Sequence, residues 1–232
     1  MAGSIQGYVL RSRHPEAAGC QEPLGTFVKS SLLPSGCPST FAVADLAPCA
    51  WVTLWGLTSV AAMRVRREGP ADRETVREIQ AAAFSTGEGE PMEVRLLDAL
   101  RATDSWIPAL SWVAEVNGRV VGHCVSTRGH VGDVSCVGLG PIGVVPDAQG
   151  KGVGSALINA TIGAADALGE PLIALLGEPT YYTRFGFTPA TSHGIEPPES
   201  AWGDYFQVLR LSAWTDSIRG SFRYAPPFDT VE

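Results

Sequence analysis

The clearest chemical signal in this chain is a glycine-rich loop, Gln149-Gly150-Lys151-Gly152-Val153-Gly154. It follows an apolar segment typical of a buried strand and precedes a segment with helical spacing. Backbone N–H groups in the first turn of a helix have no partner within the helix, and the helix dipole adds positive charge there. The pattern therefore predicts an anion site suited to phosphate groups.

Two common nucleotide-binding patterns do not fit this loop. A Walker A sequence needs Gly where Val145 stands, and Ser or Thr where Gly152 follows Lys151. The dinucleotide fingerprint G-x-G-x-x-G fails because Ser155 occupies its third glycine position. What remains is Q-x-x-G-x-G after a strand that Gly and Pro interrupt. The alternative interpretation is an ordinary helix start with flexible glycines.

Hydrophobic periodicity and turn residues indicate the first elements that must position this loop. Residues 63–68 alternate as a short strand, and helical spacing covers about 72–84 and 92–102. Alternating runs on both sides of Asn117-Gly118 predict an antiparallel hairpin, because this dipeptide favours the tight turn that joins such strands.

The elements around the loop itself predict a parallel crossover. Segment 134–145 reads as a strand buried on both faces, but Pro141 has no N–H to donate, so its pairing should fail on one side with a bulge. A helix should run from the loop to about residue 168, followed by a buried strand at 171–177 and a final strand at 204–211. The predicted fold class is α/β with a mixed sheet.

Composition narrows the classes of protein. The chain has 232 residues, 45% hydrophobic and 18% charged, with a mean hydropathy of +0.09, as in a globular protein. The net charge of −7 is unfavourable for a surface that must follow a nucleic-acid backbone. We therefore expect no nucleic-acid partner.

The cysteines predict neither a disulfide framework nor a metal site. Their number is odd, and no CxxC or closely spaced Cys/His group occurs. We expect reduced thiols in a cytoplasmic protein without a metal. The five residues are Cys20, Cys37, Cys49, Cys124 and Cys136.

The first part of the chain differs from the rest. Residues 1–62 carry no net charge and show no sustained periodicity, so we predict an irregular extension ahead of a single domain at 63–232. One alternative is that Met63 is the true start of the protein.

A charge-free run at 46–63 is a minimal candidate for a membrane span. Pro48 and Gly56 interrupt it, so a short helix with Trp51 and Trp55 on one packed face is the preferred interpretation. We expect no membrane association.

Two segments together resemble the GNAT superfamily of acyl-CoA-dependent N-acetyltransferases. LGPIGVVPDAQGKGVGSALI (139–158) is similar to the family's pyrophosphate motif with its preceding strand, and GEPTYYTRFGF (177–187) is similar to its second motif. The order of elements agrees across 63–211, whereas 1–62 has no counterpart. The likeness is greatest to a bacterial branch of predicted acetyltransferases that shares LGP-x-x-V-x-P and YY-x-RFGF.

The resemblance implies acetyl-CoA as cosubstrate and a central twisted mixed sheet that splays between its fourth and fifth strands. The pyrophosphate would lie on the amides of 149–154, near the charge of Lys151. Pantetheine would pair with main-chain groups of 142–144, and the Val144 amide would polarise the thioester carbonyl. The cofactor-binding residues so implied are Ile142, Gly143, Val144, Gln149, Gly150, Lys151, Gly152, Val153, Gly154 and Ser155.

The same resemblance assigns Tyr182 as the general acid that protonates the departing CoA thiolate. The alternative is that Tyr181 and Tyr182 form an aromatic core pair. Many family members also carry a glutamate on the fourth strand, but 137–141 contains no carboxylate. A water chain or one of several other residues could act as the base: Glu115, His123, His130, Asp133 or Glu178.

We therefore expect an N-acetyltransferase that passes acetyl directly to a primary amine in a ternary complex. The resemblance implies that the acceptor pocket is built by the loop at 85–91 and by the region 193–205. Six acidic residues could attract a cationic amine or could form a solvated face: Glu88, Glu90, Glu93, Glu196, Glu199 and Asp204.

Three alternatives stay open. The enzyme could use a longer acyl-CoA or a protein amine as acceptor, or the chain could be a non-catalytic module that binds CoA as a regulatory ligand. A homodimer also stays open.

Overall fold

Four antiparallel strands form the first half of the sheet in the computed structural model, which describes residues 62–87 and 89–230. They are β1 (Met63–Arg67), β2 (Trp112–Val116), β3 (Arg119–Val131) and β4 (Val134–Val144). Asn117 and Gly118 have φ values of 52° and 79°, as a tight hairpin turn requires. The predicted hairpin is confirmed.

Three longer helices pack on this sheet. They are α1 (Arg73–Phe84), α2 (Met92–Arg101) and α3 (Val153–Ala167). The apolar stripes predicted for them are largely buried, because Val76, Val94 and Leu157 have almost no exposed surface. Each helix thus places one face in the core.

The sheet continues through a parallel strand, β5 (Leu172–Leu176), which α3 connects to β4. The two strands pair only at Val137 with Ile173 and at Gly138 with Ala174, so they separate beyond Gly138. On its other side β4 stays paired with β3, whose register shifts between Cys124 and Ser126. The predicted mixed sheet, with the fourth and fifth strands splayed apart, is confirmed.

The remaining elements close the sheet and line one end of it. They are α4 (Pro179–Tyr182), β6 (Thr188–Pro189), β7 (Ile195–Glu196), β8 (Phe206–Arg210), β9 (Gly220–Arg223) and α5 (Pro227–Thr230). Beyond β5 the order is β8 and then β6, while β9 pairs with β3 and β7.

The prediction that the strand near 204–211 is the last one is wrong, because β9 follows it. Its four residues carry too short an alternation to be recognised locally. What holds it is a tertiary contact: a Cβ at Gly129 of β3 would lie 2.7 Å from the Phe222 ring, so the bare glycine leaves room for that ring.

The membrane candidate at 46–63 and the extension at 1–62 lie almost wholly outside the described residues. Within 62–87 and 89–230, each helix is too short or too polar to cross a bilayer.

Candidate active site

The glycine loop forms the turn into α3. Gly150 and Gly152 have φ values of 73° and 84°, a left-handed conformation that side chains with a Cβ adopt at a cost. Gly152 is the N-terminal cap of α3 and provides no side-chain hydrogen bond to the first turn. An added Cβ at either glycine would meet nothing within 4 Å, so the loop surface is open to a close-lying ligand.

The other loop side chains hold the turn in place. Gln149 Nε2 donates to the Val144 carbonyl at 2.9 Å, and Lys151 Nζ donates to the Asp147 carbonyl at 2.8 Å. Because these bonds lie within the loop and its preceding strand, they tie the start of α3 to the end of β4.

The ladder pattern determines which way the end of β4 presents its main chain. Val145 N–H donates to the Val121 carbonyl of β3 at 2.9 Å. Groups of successive residues in an antiparallel ladder point to opposite sides. The main-chain groups of Val144 and Ile142 therefore face the open side toward β5, whereas those of Gly143 face β3.

Gly143 leaves space for a buried side chain of α1. A Cβ on Gly143 would lie 2.7 Å from Gln80 Oε1 and 3.3 Å from the Ala83 methyl. Gln80 has no exposed surface, and its Nε2 lies 2.9 Å from His123 Nδ1. His123 Nε2 in turn lies 3.1 Å from Glu68 Oε2. This buried polar network supports β4 from beneath.

A narrow cavity of about 20 Å³ lies where β4 and β5 separate. Such a volume holds about one water molecule or a group of similar size. Its lining combines β4 residues with side chains from α1, α2, β5, α4 and the C-terminal region: Phe84, Glu93, Leu139, Gly140, Pro141, Ile142, Leu176, Tyr182, Tyr224 and Phe228.

Tyr182 contributes its phenol to this cavity. Its ring packs against Tyr181 and Phe187, and a side chain at Gly177 would collide with it. Burial raises the pKa of Tyr182 well above its usual value, so the phenol stays protonated at neutral pH. Tyr182 therefore both pairs with Tyr181 in the core and lines the cavity, so the two arrangements considered for it occur together.

Tyr181 has a different position. Its hydroxyl would lie 2.8 Å from a Cβ on Gly154, and Arg184 lies over its ring at 4.7 Å. Burial raises the pKa of Tyr181, and the nearby Ser155 side chain partly offsets this effect. Tyr181 therefore packs on the first turn of α3, and Gly154 gives it room.

The five candidate bases lie elsewhere. Glu115 is ion-paired with Arg66, His123 is fully buried in the network beneath β4, and Glu178 caps the short α4. His130 lines a separate groove, and Asp133 is exposed in the turn between β3 and β4. None of them lines the cavity between β4 and β5.

Sequence reasoning gave no catalytic role to Glu93. It is placed above among acidic residues that could attract an amine or form a solvated face, but it is only 6% exposed. The helical spacing could have predicted the burial of Glu93, because this residue shares one stripe of α2 with Leu96, Leu97 and Leu100. All three leucines are buried.

Four of the other five acidic residues lie on the surface. Glu90 pairs with Arg77, Glu196 accepts a hydrogen bond from Ser221, and Glu199 and Asp204 are exposed. Glu88 lies outside the described residues.

A larger groove of about 960 Å³ adjoins the cavity, and Tyr224 lines both. Its other walls come from the segment around Glu196, from β9 and from the C-terminal helix. In the part of the chain that the structure describes, no three His, Cys, Asp or Glu side chains are grouped as metal ligands would be.

The sequence is similar to those of known acetyltransferases. The sequence model of the family described as Acetyltransferase (GNAT) domain matches residues 108–189. The chain is 32% identical over 168 residues to the Escherichia coli protein YjhQ, named as an uncharacterized N-acetyltransferase, covering 69% of this chain and 91% of that protein.

Two solved structures agree in fold. A GNAT acetyltransferase from Brucella melitensis, in complex with acetyl-CoA, is 32% identical with a TM-score of 0.59, covering 73% of this chain and 99% of that one. The E. coli N-acetyltransferase YhbS, in complex with CoA, is 25% identical with a TM-score of 0.65, covering 74% and 94%. With its splayed sheet, glycine loop and these relatives, the chain belongs to the GNAT family of N-acetyltransferases.

Proposed function

We propose that the protein transfers acetyl from acetyl-CoA directly to a primary amine, with both substrates bound at once. The observation that carries this proposal is the separation of β4 from β5 beyond Gly138. It leaves the end of β4 unpaired on that side, and the same strand lines a cavity with Tyr182 and leads into the glycine turn that begins α3. The Brucella and E. coli relatives were solved with acetyl-CoA and CoA, which supports the same ligand here.

The turn into α3 has the features that a pyrophosphate needs. The first-turn amides of Val153, Gly154 and Ser155 receive no side-chain cap, and the glycines before them leave the loop surface open. Helix dipole and free N–H groups favour an anion at this place. We assign the pyrophosphate to the amides of 149–154, with Ser155 at the end of this set and Lys151 adding charge nearby.

The open side of β4 suits the pantetheine arm. Ile142 and Val144 direct main-chain groups into the gap, and the Val144 carbonyl already accepts from Gln149. We assign the Val144 N–H to the thioester carbonyl, where one such donor contributes about 10²–10³ in rate. Gly143 contributes through its missing side chain, which lets Gln80 support the strand.

Tyr182 is assigned as the general acid for the departing thiolate. Its buried phenol keeps its proton at neutral pH and lines the cavity at which the thioester would arrive.

The protonation state of the buried thiols favours direct transfer of acetyl to the amine over a route through an acyl-cysteine. Burial raises the pKa of both Cys124 and Cys136 to about 12, so neither is a thiolate at neutral pH. Because a protonated thiol is a poor nucleophile, these two cysteines, which are the ones among the described residues, do not favour an acyl-cysteine route, and direct attack by the acceptor amine is retained.

The test combines binding with turnover. Calorimetric titration of acetyl-CoA, ATP and NAD should show binding of acetyl-CoA alone, and spermidine, glucosamine and a lysyl peptide serve as acceptor probes. Tyr182→Phe should lower kcat by about 10²–10⁴ while leaving the acetyl-CoA Kd unchanged. Glu74→Gln, at an exposed residue in the first turn of α1, is the control and should behave as wild type.

Two results would contradict the proposal. Binding of acetyl-CoA with no transfer to any probe would favour the non-catalytic module. A fully active Tyr182→Phe variant would remove the acid role from Tyr182.

A further inference from the structure

A buried carboxylate stands at the cavity although β4 carries none. Glu93 is the second residue of α2, and its side chain lines the same cavity as Pro141, Ile142 and Tyr182. We propose that Glu93 is the general base that takes the proton from the acceptor ammonium before it attacks; this inference rests on the proposed acetyl transfer. Acid and base would then face the reaction from α4 and α2.

The helix directs this side chain inward. Glu93 lies on the stripe of α2 formed with Leu96, Leu97 and Leu100, which is buried over its whole length. A glutamate in a first turn normally faces solvent, where it also interacts favourably with the helix dipole. Here the residue is only 6% exposed, and among the described residues it forms no ion pair.

The surroundings make this carboxylate a stronger base. Burial raises the pKa of Glu93, and this outweighs the hydrogen bond from its own backbone N–H. The other ionisable groups that line the cavity are the phenols of Tyr182 and Tyr224, while α1, β5 and α5 contribute the apolar side chains Phe84, Leu176 and Phe228. Two carboxylates, Glu196 of β7 and Asp229 of α5, line the neighbouring groove.

The protons and electrons of the step balance. Glu93 accepts one proton from the ammonium, and the freed lone pair on nitrogen forms the C–N bond with the thioester carbon. The C–S bond breaks with its electron pair on sulfur, which takes the Tyr182 proton. The second proton lost by nitrogen restores Tyr182, and the proton on Glu93 leaves to solvent.

The test uses the full chain with acetyl-CoA and the same three amine probes. Glu93→Gln should lower kcat by about 10²–10⁴ with the acetyl-CoA Kd within about twofold of wild type. Because the base acts only when deprotonated, wild-type kcat should rise with pH through the raised pKa, and this acidic limb should disappear in Glu93→Gln. A role in capping α2 alone would change stability and leave the limb in place.

Two further variants keep the result interpretable. Glu93→Asp keeps a carboxylate and should retain the acidic limb at a lower kcat, which covers the case that Glu93→Gln fails to fold. Glu74→Gln is the matched control, since Glu74 is an exposed acidic residue in the first turn of α1. It should leave kcat and the pH profile unchanged.

The experiment distinguishes a failure of the role of Glu93 from a failure of the proposed acetyl transfer. Wild type that acetylates a probe while Glu93→Gln keeps its rate and acidic limb overturns the role of Glu93 alone. Wild type that binds acetyl-CoA and acetylates none of the probes overturns the proposed function, and the role of Glu93 with it.

Discussion

Replacing Gly143 with alanine tests whether the buried network beneath β4 determines the shape of the site. The new methyl would lie 2.7 Å from Gln80 Oε1 and 3.0 Å from Gln80 Cδ. This is about 0.8 Å inside the optimal separation of roughly 3.5 Å between non-bonded atoms. Gln80 has no exposed surface and contacts His123, so it has little room to withdraw.

The expected cost follows from overpacking. Inserting a methyl group into a well-packed core costs about 1–3 kcal/mol in the free energy of unfolding. For a domain of this size that corresponds to a fall in Tm of about 2–12 °C. Because Val144 adjoins the strained position, the acetyl-CoA Kd should also rise.

Denaturant unfolding and calorimetry measure the two effects. Gly163→Ala in α3 is the matched control, since its Cβ would meet nothing within 4 Å and alanine favours a helix by about 1 kcal/mol. In the double variant with Gln80→Ala, the methyl should be less costly, with a coupling of about 0.5–3 kcal/mol. Gly143→Ala with wild-type stability and Kd would refute this account of the network.

Two other predictions concern the loop and the pH dependence of stability. Gly152→Ala forces a Cβ into a left-handed conformation, which costs roughly 1–2 kcal/mol and should weaken acetyl-CoA binding by about tenfold, measured by calorimetry with Gly163→Ala as control. Burial lowers the pKa of His123, so its contribution to stability is present above about pH 6.5 and is lost as the pH falls below it. Burial alone would raise the pKa of Glu68, but hydrogen bonds from His123 and Ser111 and the charge of Arg101 bring it to about 2. The contribution of Glu68 to stability is therefore lost as the pH falls from about 4.3 toward 2. Urea midpoints measured against pH should lose this lower part of their decline in Glu68→Gln. An unchanged acid profile in that variant would exclude Glu68 as the source of the decline.

Local sequence was sufficient to predict the main strands, turns and helix starts of the fold. Asn117-Gly118 predicted the hairpin, Pro141 and its glycines predicted the interrupted strand, and the loop at 149–154 predicted a helix start with free amides. These features depend on a residue and its near neighbours along the chain, so periodicity and turn chemistry are enough to find them.

Tertiary structure decided which residues come together to form the site. The burial of Glu93 requires residues 139–142, Tyr182 and Tyr224 to meet around it, and β9 requires Phe222 to find the space above Gly129. A carboxylate in a helical first turn has the same local sequence whether it faces water or a cavity. Only the packing of distant segments decides its dielectric surroundings, and with them its strength as a base.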